Sequence, residues 1–264
     1  MSDELLLIER PLDGCTQITL NRPDAKNALS RELRRQLTAA IDGLNGRNEA
    51  RVLILTGAGN AFCAGLDLKE LGAAASNEIF GFEDRSIDVR AALEAFEGPI
   101  LGAVNGPAIT GGWELALSCD VLICSTSARF ADTHARVGVM PIWGLSQRLS
   151  RAIGVNRALE FSLTGNFLTA EQAEAWGFVN RVVAPEQLME KTYELAGQML
   201  SVVPQMLVSY RRLIKDGFAM PLGDALVLER ERGLSAVRTV DTAAVERLRH
   251  EVLARAQQQI ALGN

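Results

Sequence analysis

The stretch from Asn105 to Asp120 reads Asn-Gly-Pro-Ala-Ile-Thr-Gly-Gly-Trp-Glu-Leu-Ala-Leu-Ser-Cys-Asp, and the fold assignment starts from it. It follows an apolar run, Pro99–Val104, that is typical of a buried strand. Its Gly111-Gly112 pair predicts the start of a helix, where backbone N–H groups stabilise negative charge. Glu114 then lies in the first helical turn. It is either an ordinary first-turn carboxylate or a carboxyl group held in an apolar site as an acid or base.

A second stretch, Thr56 to Leu68, reads Thr-Gly-Ala-Gly-Asn-Ala-Phe-Cys-Ala-Gly-Leu-Asp-Leu and follows the apolar run Arg51–Thr56. A dinucleotide-binding turn needs a third glycine three positions after Gly59, but Phe62 stands there. The Gly-Lys-Ser/Thr of a phosphate-binding P-loop is absent as well. Taken alone, the stretch fits a tight strand-to-helix turn, which uses glycine for its backbone angles, as well as it fits a binding loop.

Apolar runs and helical repeats alternate along the rest of the first part of the chain. Further strands are predicted at Leu5–Arg10, Cys15–Leu20 and Val121–Cys124, the first two joined by a hairpin turn at 11–14. Ser30 is a predicted N-cap, and the helix after it carries an apolar stripe of Leu33, Leu37, Ile41 and Leu44. Further helices are predicted at Asp84–Phe96, Ala170–Trp176 and Glu186–Leu200. This alternation indicates an α/β protein with several parallel strands.

Composition excludes several classes of protein. The 264 residues are 48% hydrophobic, which is enough for a sizeable core. The net charge of -5 and pI near 5.3 argue against a nucleic-acid partner. The longest uncharged run, Gly98–Trp113, is too short and too broken for membrane insertion, and the acidic N-terminus does not resemble a signal peptide. The four cysteines and two histidines lack the spacing of a metal site. We therefore expect a reduced, cytoplasmic protein without a metal.

Glycine is distributed unevenly, which suggests a domain division. Only four of the 23 glycines follow Pro204, so the last part of the chain is predicted to be helical. We predict a core at residues 1–203 and a helical region at 204–264. Val245, Leu248 and Val252 form an apolar stripe in that region, and the stripe must be buried against the core or a sister subunit.

Together, the two glycine-containing stretches resemble the crotonase (enoyl-CoA hydratase/isomerase) family. The resemblance covers nearly the whole chain, and its motifs are 21–29, 61–68, 111–120, 147–149 with Gly154, and 163–165 with Ala170, Ala173 and Gly177. It implies a crotonase-like ββα spiral core with a C-terminal α-helical region for oligomerisation and active-site cover. It also implies assembly as a homotrimer, or as a homohexamer of two trimers.

The resemblance further implies an acyl-CoA thioester substrate and no separate cofactor, since CoA arrives as part of the substrate. The thioester oxygen, as it becomes an enolate, would be held by the backbone N–H groups of Leu66 and Gly111, which form an oxyanion hole. Ala64, Asp67, Leu68 and Lys69 would line the path of CoA. Arg22 and Lys26 are candidates for the CoA phosphates, although an ordinary solvated charge explains both equally well.

Hydratases of this family use two glutamates. Glu114 matches the one that activates water, but His134 occupies the position of the other, in the stretch Phe130-Ala131-Asp132-Thr133-His134. Three interpretations follow. His134 replaces the glutamate as proton donor, it only fills space or bonds to Asp132, or the site runs another thioester reaction such as isomerisation or C–C cleavage. Asp132 is a weaker candidate, as an orienting carboxylate.

In the stretch Pro141-Ile142-Trp143-Gly144-Leu145, Ile142 and Leu145 stand where the family has glycine, and the bulky Trp143 lies between them. Trp143 is interpreted either as core filling or as part of a reshaped acyl pocket, and Trp113, beside Glu114, raises the same question. The leading hypothesis is a 2-enoyl-CoA hydratase with Glu114 and His134 as catalytic residues. The alternatives are an enoyl-CoA isomerase or another acyl-CoA lyase, and a non-catalytic acyl-CoA binding protein.

Overall fold

The computed structural model describes residues 4–73, 84–238 and 240–261. Within it the chain forms two compact units, Met1–Val208 and Ser209–Asn264, which divide inside a long helix. The assignment of oligomerisation and active-site cover to residues 204–264 stays a prediction.

Two sheets form the framework of the first unit. The larger has six strands in the order β1-β2-β3-β4-β6-β9, and only its β1–β2 pair is antiparallel. The smaller has the order β5-β7-β8. The strands are β1 Leu6–Leu12, β2 Cys15–Leu20, β3 Val52–Gly57, β4 Ile100–Val104, β5 Ala108–Ile109, β6 Val121–Ser125, β7 Arg129–Ala131, β8 Leu168–Thr169 and β9 Arg181–Val183. The predicted hairpin and parallel strands are confirmed.

Helices connect these strands. In the first unit they are α1 Arg31–Leu44, α2 Leu68–Ala73, α3 Val89–Ala95, α4 Gly111–Ser118, α5 His134–Val137, α6 Leu145–Ile153, α7 Val155–Thr164, α8 Ala170–Ala175 and α9 Leu188–Leu200. Short 3₁₀ turns lie at Pro23–Ala25, Asn48–Ala50, Arg85–Ile87 and Pro185–Gln187. Helix α10, Pro204–Phe218, crosses the division, and α11 Leu222–Val237 and α12 Thr242–Ala261 follow it. No helix among the described residues is long and apolar enough to cross a membrane.

Alternating side chains of the large sheet supply two hydrophobic cores. Leu53 and Leu55 of β3 face the core that contains α1 and α4, whereas Val52 and Ile54 face the core that contains α9. Burial on both faces explains why these strands are continuously apolar. The carboxyl ends of β3 and β4 lead into the two glycine-containing stretches, which places those stretches side by side.

Helix α1 confirms its predicted cap and stripe. The Ser30 hydroxyl accepts a hydrogen bond from the Leu33 N–H, and the apolar stripe that follows is buried. The predicted helix Asp84–Phe96 is instead a 3₁₀ turn followed by α3, because two aspartates cap separate elements. Asp84 accepts from the Ser86 N–H and Asp88 accepts from the Ala91 N–H.

Asn27 ties the start of the chain to the loop after β3. Its backbone has φ 56, and its side chain is fully buried. The side-chain amide donates to the Ala58 and Ala61 carbonyls at 2.9 and 2.8 Å, and its Oδ1 accepts from the Arg22 N–H at 2.9 Å. These three bonds fix the approach to the 61–68 stretch.

We expect Asn27→Ala to lower the free energy of unfolding by about 3 kcal/mol, because buried backbone groups lose their partners. Urea unfolding would measure this. Asn27→Gly is the matched control, since glycine accepts a positive φ without strain but makes none of the bonds. If Asn27→Gly is as stable as the wild type, the three hydrogen bonds contribute nothing.

Candidate active site

A small cavity opens where the two glycine-containing stretches meet. Its volume is about 30 Å³, which is more than the roughly 10–15 Å³ that one water requires. Among the residues singled out in the sequence, Leu66, Gly111, Glu114, His134 and Trp143 line it, together with Arg34, Val139, Met140 and Ile142. The structure thus brings both predicted catalytic side chains and both predicted oxyanion residues to one cavity.

Backbone bridges hold Leu66 next to Gly111. Leu29 bonds to the Gly65 carbonyl and the Asp67 N–H in a parallel bridge, so the Leu66 N–H points away from Leu29. Gly111 is the first residue of α4, where backbone N–H groups lack an intrahelical partner. A Cβ placed on Gly111 would lie 3.6 Å from the Leu66 nitrogen. The Leu66 amide nitrogen and the start of α4 therefore lie side by side.

Thr110, immediately before α4, is held in a strained backbone conformation. Its φ is 53 and its ψ is -110, which a threonine rarely adopts. Its N–H donates to the Ala131 carbonyl at 2.8 Å, and its hydroxyl bonds to the Thr133 hydroxyl. These contacts fasten the start of α4 to the segment that carries His134.

Glu114 is 2% exposed, and its two carboxylate oxygens have different surroundings. Oε1 accepts hydrogen bonds from the Trp143 and Leu145 N–H groups at 2.8 and 3.3 Å. Gly144, between these residues, has φ 102 and so allows both amides to face the same oxygen. Burial raises the pKa of Glu114, even though His134 and the two amides act to lower it.

His134 lies between two carboxylates and is 6% exposed. Its Nε2 is 3.8 Å from Glu114 Oε2, and its Nδ1 is 2.7 Å from Asp132 Oδ1. Burial acts to raise the pKa of Asp132, but hydrogen bonds from the His134 and Ser162 side chains hold it below its ordinary value. The residues thus form a buried chain of carboxylate, imidazole and carboxylate that ends at the cavity.

Known proteins are similar to this chain in sequence and in fold. A family model described as enoyl-CoA hydratase/isomerase matches residues 12–243. The chain is 40% identical over 232 residues to the probable peroxisomal enoyl-CoA hydratase 1 of Arabidopsis thaliana, covering 88% of this chain and 86% of that protein. The chain belongs to the crotonase (enoyl-CoA hydratase/isomerase) family.

A bacterial relative and a solved structure support the same family. The chain is 35% identical over 215 residues to the short-chain-enoyl-CoA hydratase of Clostridium acetobutylicum, covering 81% of this chain and 82% of that protein. The crystal structure of an enoyl-CoA hydratase from Bacillus anthracis matches with a TM-score of 0.87 at 32% identity, covering 94% of this chain and 96% of that one. The predicted crotonase-like ββα spiral core with a C-terminal α-helical region is confirmed.

The residues predicted to line the CoA path of this crotonase lie beside the cavity and not in its lining. Asp67 accepts from the Arg22 guanidinium at 3.0 Å, and this ion pair helps to keep the pKa of Asp67 below its ordinary value against the effect of burial. Lys26 donates to the Asn60 side chain at 2.6 Å. Leu68 and Lys69 are exposed at the start of α2, and Ala64 is half-buried. Their contact with CoA stays a prediction.

The two tryptophans have different positions. Trp113 is fully buried, with its ring centroid 5.6 Å from that of Phe130 and 5.9 Å from that of Phe178. One residue along a helix turns the side chain by roughly 100°, so Trp113 points into the core while Glu114 points to the cavity. The structure therefore places Trp113 in the core and not in the pocket, whereas Trp143 lines the pocket and binds Glu114 through its backbone.

Several contributors to the site were not found from the sequence. Arg34 lines the cavity, yet a charged residue beside the apolar stripe of α1 is more typical of a solvated helix face. Burial lowers the pKa of its guanidinium, with Glu70 and Asp84 acting in the other direction. The amides of Trp143 and Leu145 were missed as well. Gly144 between them was the only signal in the sequence.

Proposed function

We propose that this crotonase is an enoyl-CoA hydratase, which adds water across the double bond of a 2-enoyl-CoA thioester. The observation that carries the proposal is the 3.8 Å approach of Glu114 Oε2 and His134 Nε2 at a cavity that Leu66 and Gly111 also line. Two proton-transfer groups then face one reacting double bond. The hydratase names of the relatives support the same reaction class.

The thioester oxygen binds between the Leu66 and Gly111 N–H groups. Negative charge develops on this oxygen when a nucleophile adds to the conjugated double bond. Two preorganised amide donors, one of them at a helix start, stabilise that charge without reorganising. The hydrogen bonds of Thr110 to Ala131 and Thr133 hold the start of α4 at a fixed distance from the segment that carries His134.

Glu114 and His134 divide the proton transfers. Glu114 Oε2 accepts a proton from water, the hydroxide adds to Cβ, and the electron pair of the double bond moves to the thioester oxygen as an enolate. Protonated His134 then gives its Nε2 proton to Cα, and the enolate returns to a thioester. Glu114 then returns its proton to His134 Nε2 when the two atoms, 3.8 Å apart in the structure, approach to hydrogen-bond distance, so the net change is the addition of one water.

The surroundings of Glu114 suit a general base. Its raised pKa brings its basicity closer to neutral pH than that of a solvated glutamate. The bonds from Trp143 and Leu145 occupy Oε1 and leave Oε2 on the side of His134. The cavity volume of about 30 Å³ accommodates the attacking water.

The rest of the proposal concerns cofactor, assembly and location. The proposal includes no cofactor beyond the CoA that the substrate carries, and it assigns Arg22 and Lys26 to the CoA phosphates. We propose homotrimeric or homohexameric assembly, as the family resemblance implies, and light scattering would measure it. We propose a cytoplasmic location, and the four cysteines, which form no disulfide in the described part of the chain, fit a reducing compartment.

Mixing the purified protein with crotonyl-CoA tests the function. We expect rapid loss of the ultraviolet absorbance of the conjugated enoyl thioester, and a loss of rate of about 100-fold in His134→Gln. His250→Gln is the matched control, because the other histidine of the chain is exposed on α12. Unchanged absorbance, with binding still detected by calorimetry, would overturn hydration of short enoyl chains and favour isomerisation or a binding role.

A further inference from the structure

We propose that Asp132 is a positioning residue that sets the ring orientation and the tautomer of His134, so that Nε2 is the nitrogen offered to Glu114 and the substrate. The inference rests on the proposed function, since it gives His134 a proton to move. Asp132 is then a third side chain that acts in the reaction, through His134 and without touching the substrate.

The geometry ties Asp132 to both the ring and the backbone of His134. One oxygen, Oδ1, is 2.7 Å from the ring Nδ1 and accepts from the backbone N–H of His134 at 3.1 Å. Asp132 follows directly after β7, and His134 is the first residue of α5. The aspartate that bonds to the ring is therefore anchored directly after a strand of the smaller sheet.

A carboxylate fixes the proton because it can only accept hydrogen bonds. With Asp132 ionised, Nδ1 must carry a hydrogen whenever this 2.7 Å contact is made. The neutral ring then has its lone pair on Nε2, and the charged ring has a proton there. The same nitrogen thus takes a proton from Glu114 and gives one to Cα, without a ring flip between the two steps.

Asp132 is suited to stay ionised, although it is only 2% exposed. The hydrogen bonds from the His134 ring, the Ser162 hydroxyl and the His134 backbone together outweigh the effect of burial and lower its pKa. The ionised carboxylate can therefore accept the Nδ1 hydrogen in both proton transfers.

A histidine at this position needs such a partner, whereas a glutamate does not. The two oxygens of a carboxylate are equivalent, so either can donate or accept. The two nitrogens of imidazole are distinct, and the wrong tautomer would present Nε2–H at the stage that needs its lone pair. Asp132 fixes the tautomer, and its role is therefore tied to the presence of histidine, instead of glutamate, at position 134.

Nuclear magnetic resonance of ring-¹⁵N-labelled histidine tests the tautomer directly. The chain has two histidines, and exposed His250 serves as the internal reference. We expect the neutral form of His134 to carry its hydrogen on Nδ1, and Asp132→Asn to raise the Nε2–H population of that neutral form, because an amide donates as well as accepts. Asp120→Asn is the matched control, since Asp120 also accepts a backbone N–H, from Ile100. An unchanged His134 spectrum in Asp132→Asn would overturn the proposal.

Kinetics separate positioning from simple structural support. We expect Asp132→Asn to lower kcat about 10- to 100-fold with KM nearly unchanged. In a His134→Gln background the same substitution should have no further effect, because its target is gone. An equal loss in both backgrounds, or a loss confined to thermal stability, would show that Asp132 only supports the fold. If the wild type fails to hydrate crotonyl-CoA, the proposed function falls, while the spectrum still decides the tautomer.

Discussion

Glu114→Gln should lower kcat for hydration of crotonyl-CoA by about 1,000-fold while the protein remains folded. Glutamine cannot take a proton from water, so the attacking hydroxide is no longer generated. Its carbonyl oxygen can still accept the Trp143 and Leu145 N–H bonds, which keeps the side chain in place. The loss should therefore appear in kcat and leave KM nearly unchanged.

The same substitution should leave stability unchanged or raise it. Burial raises the pKa of Glu114 in the folded protein above that of the unfolded chain. A carboxyl with a raised folded pKa contributes stability below its unfolded pKa and loses that contribution as pH rises through its folded pKa. Glutamine has no such loss, so the difference in unfolding free energy between variant and wild type should grow as pH rises.

The raised pKa of Glu114 should also appear in the pH dependence of wild-type activity. Glu114 must be ionised to act as a base, so kcat should fall on acidification, and at a higher pH than for an ordinary glutamate. Glu194→Gln is the matched control for removing a carboxylate, because Glu194 forms an exposed ion pair with Lys191 on α9. Retained hydration in Glu114→Gln, with Glu194→Gln also active, would show that another group activates water.

Local signals made much of the fold predictable. Ser30 and the stripe after it define α1 within one segment, and the apolar runs of β2, β3 and β4 indicate strands buried on both faces. Capping at 84–96 was harder to predict. An aspartate inside a helical pattern is ambiguous until its N–H partner is known, and Asp88 divides what the periodicity joins.

In the candidate site, too, contacts between near neighbours in the sequence were predictable and contacts between distant residues were not. The contact of Asp132 with His134 spans two residues, and bonding between them was one interpretation of the sequence. The bonds from the Trp143 and Leu145 amides to Glu114 span 29 and 31 residues and involve no side-chain chemistry at the donor, so residue types carry almost no trace of them. Arg34 lines the cavity through tertiary packing alone, which helix periodicity cannot reveal.

Gly112→Ala should cause the largest combined loss of stability and activity. A Cβ at Gly112 would lie 2.0 Å from the Cys63 carbonyl oxygen and 2.7 Å from its carbon. Both atoms belong to the backbone, and that carbonyl already accepts a hydrogen bond from the Ile109 N–H at 2.9 Å, so it cannot move away freely. No side-chain rotation relieves the overlap, so α4 and the 61–66 segment must separate.

That separation acts directly on the proposed oxyanion hole, because Leu66 lies on one side of it and Gly111 on the other. We expect Gly112→Ala to lower the unfolding free energy by about 3 kcal/mol and hydration by at least about 100-fold. Urea unfolding and the crotonyl-CoA assay measure the two effects. Gly197→Ala is the matched control, because its Cβ meets nothing closer than 3.8 Å inside α9. A Gly112→Ala enzyme with wild-type stability and rate would mean that the two amides are not held by this contact.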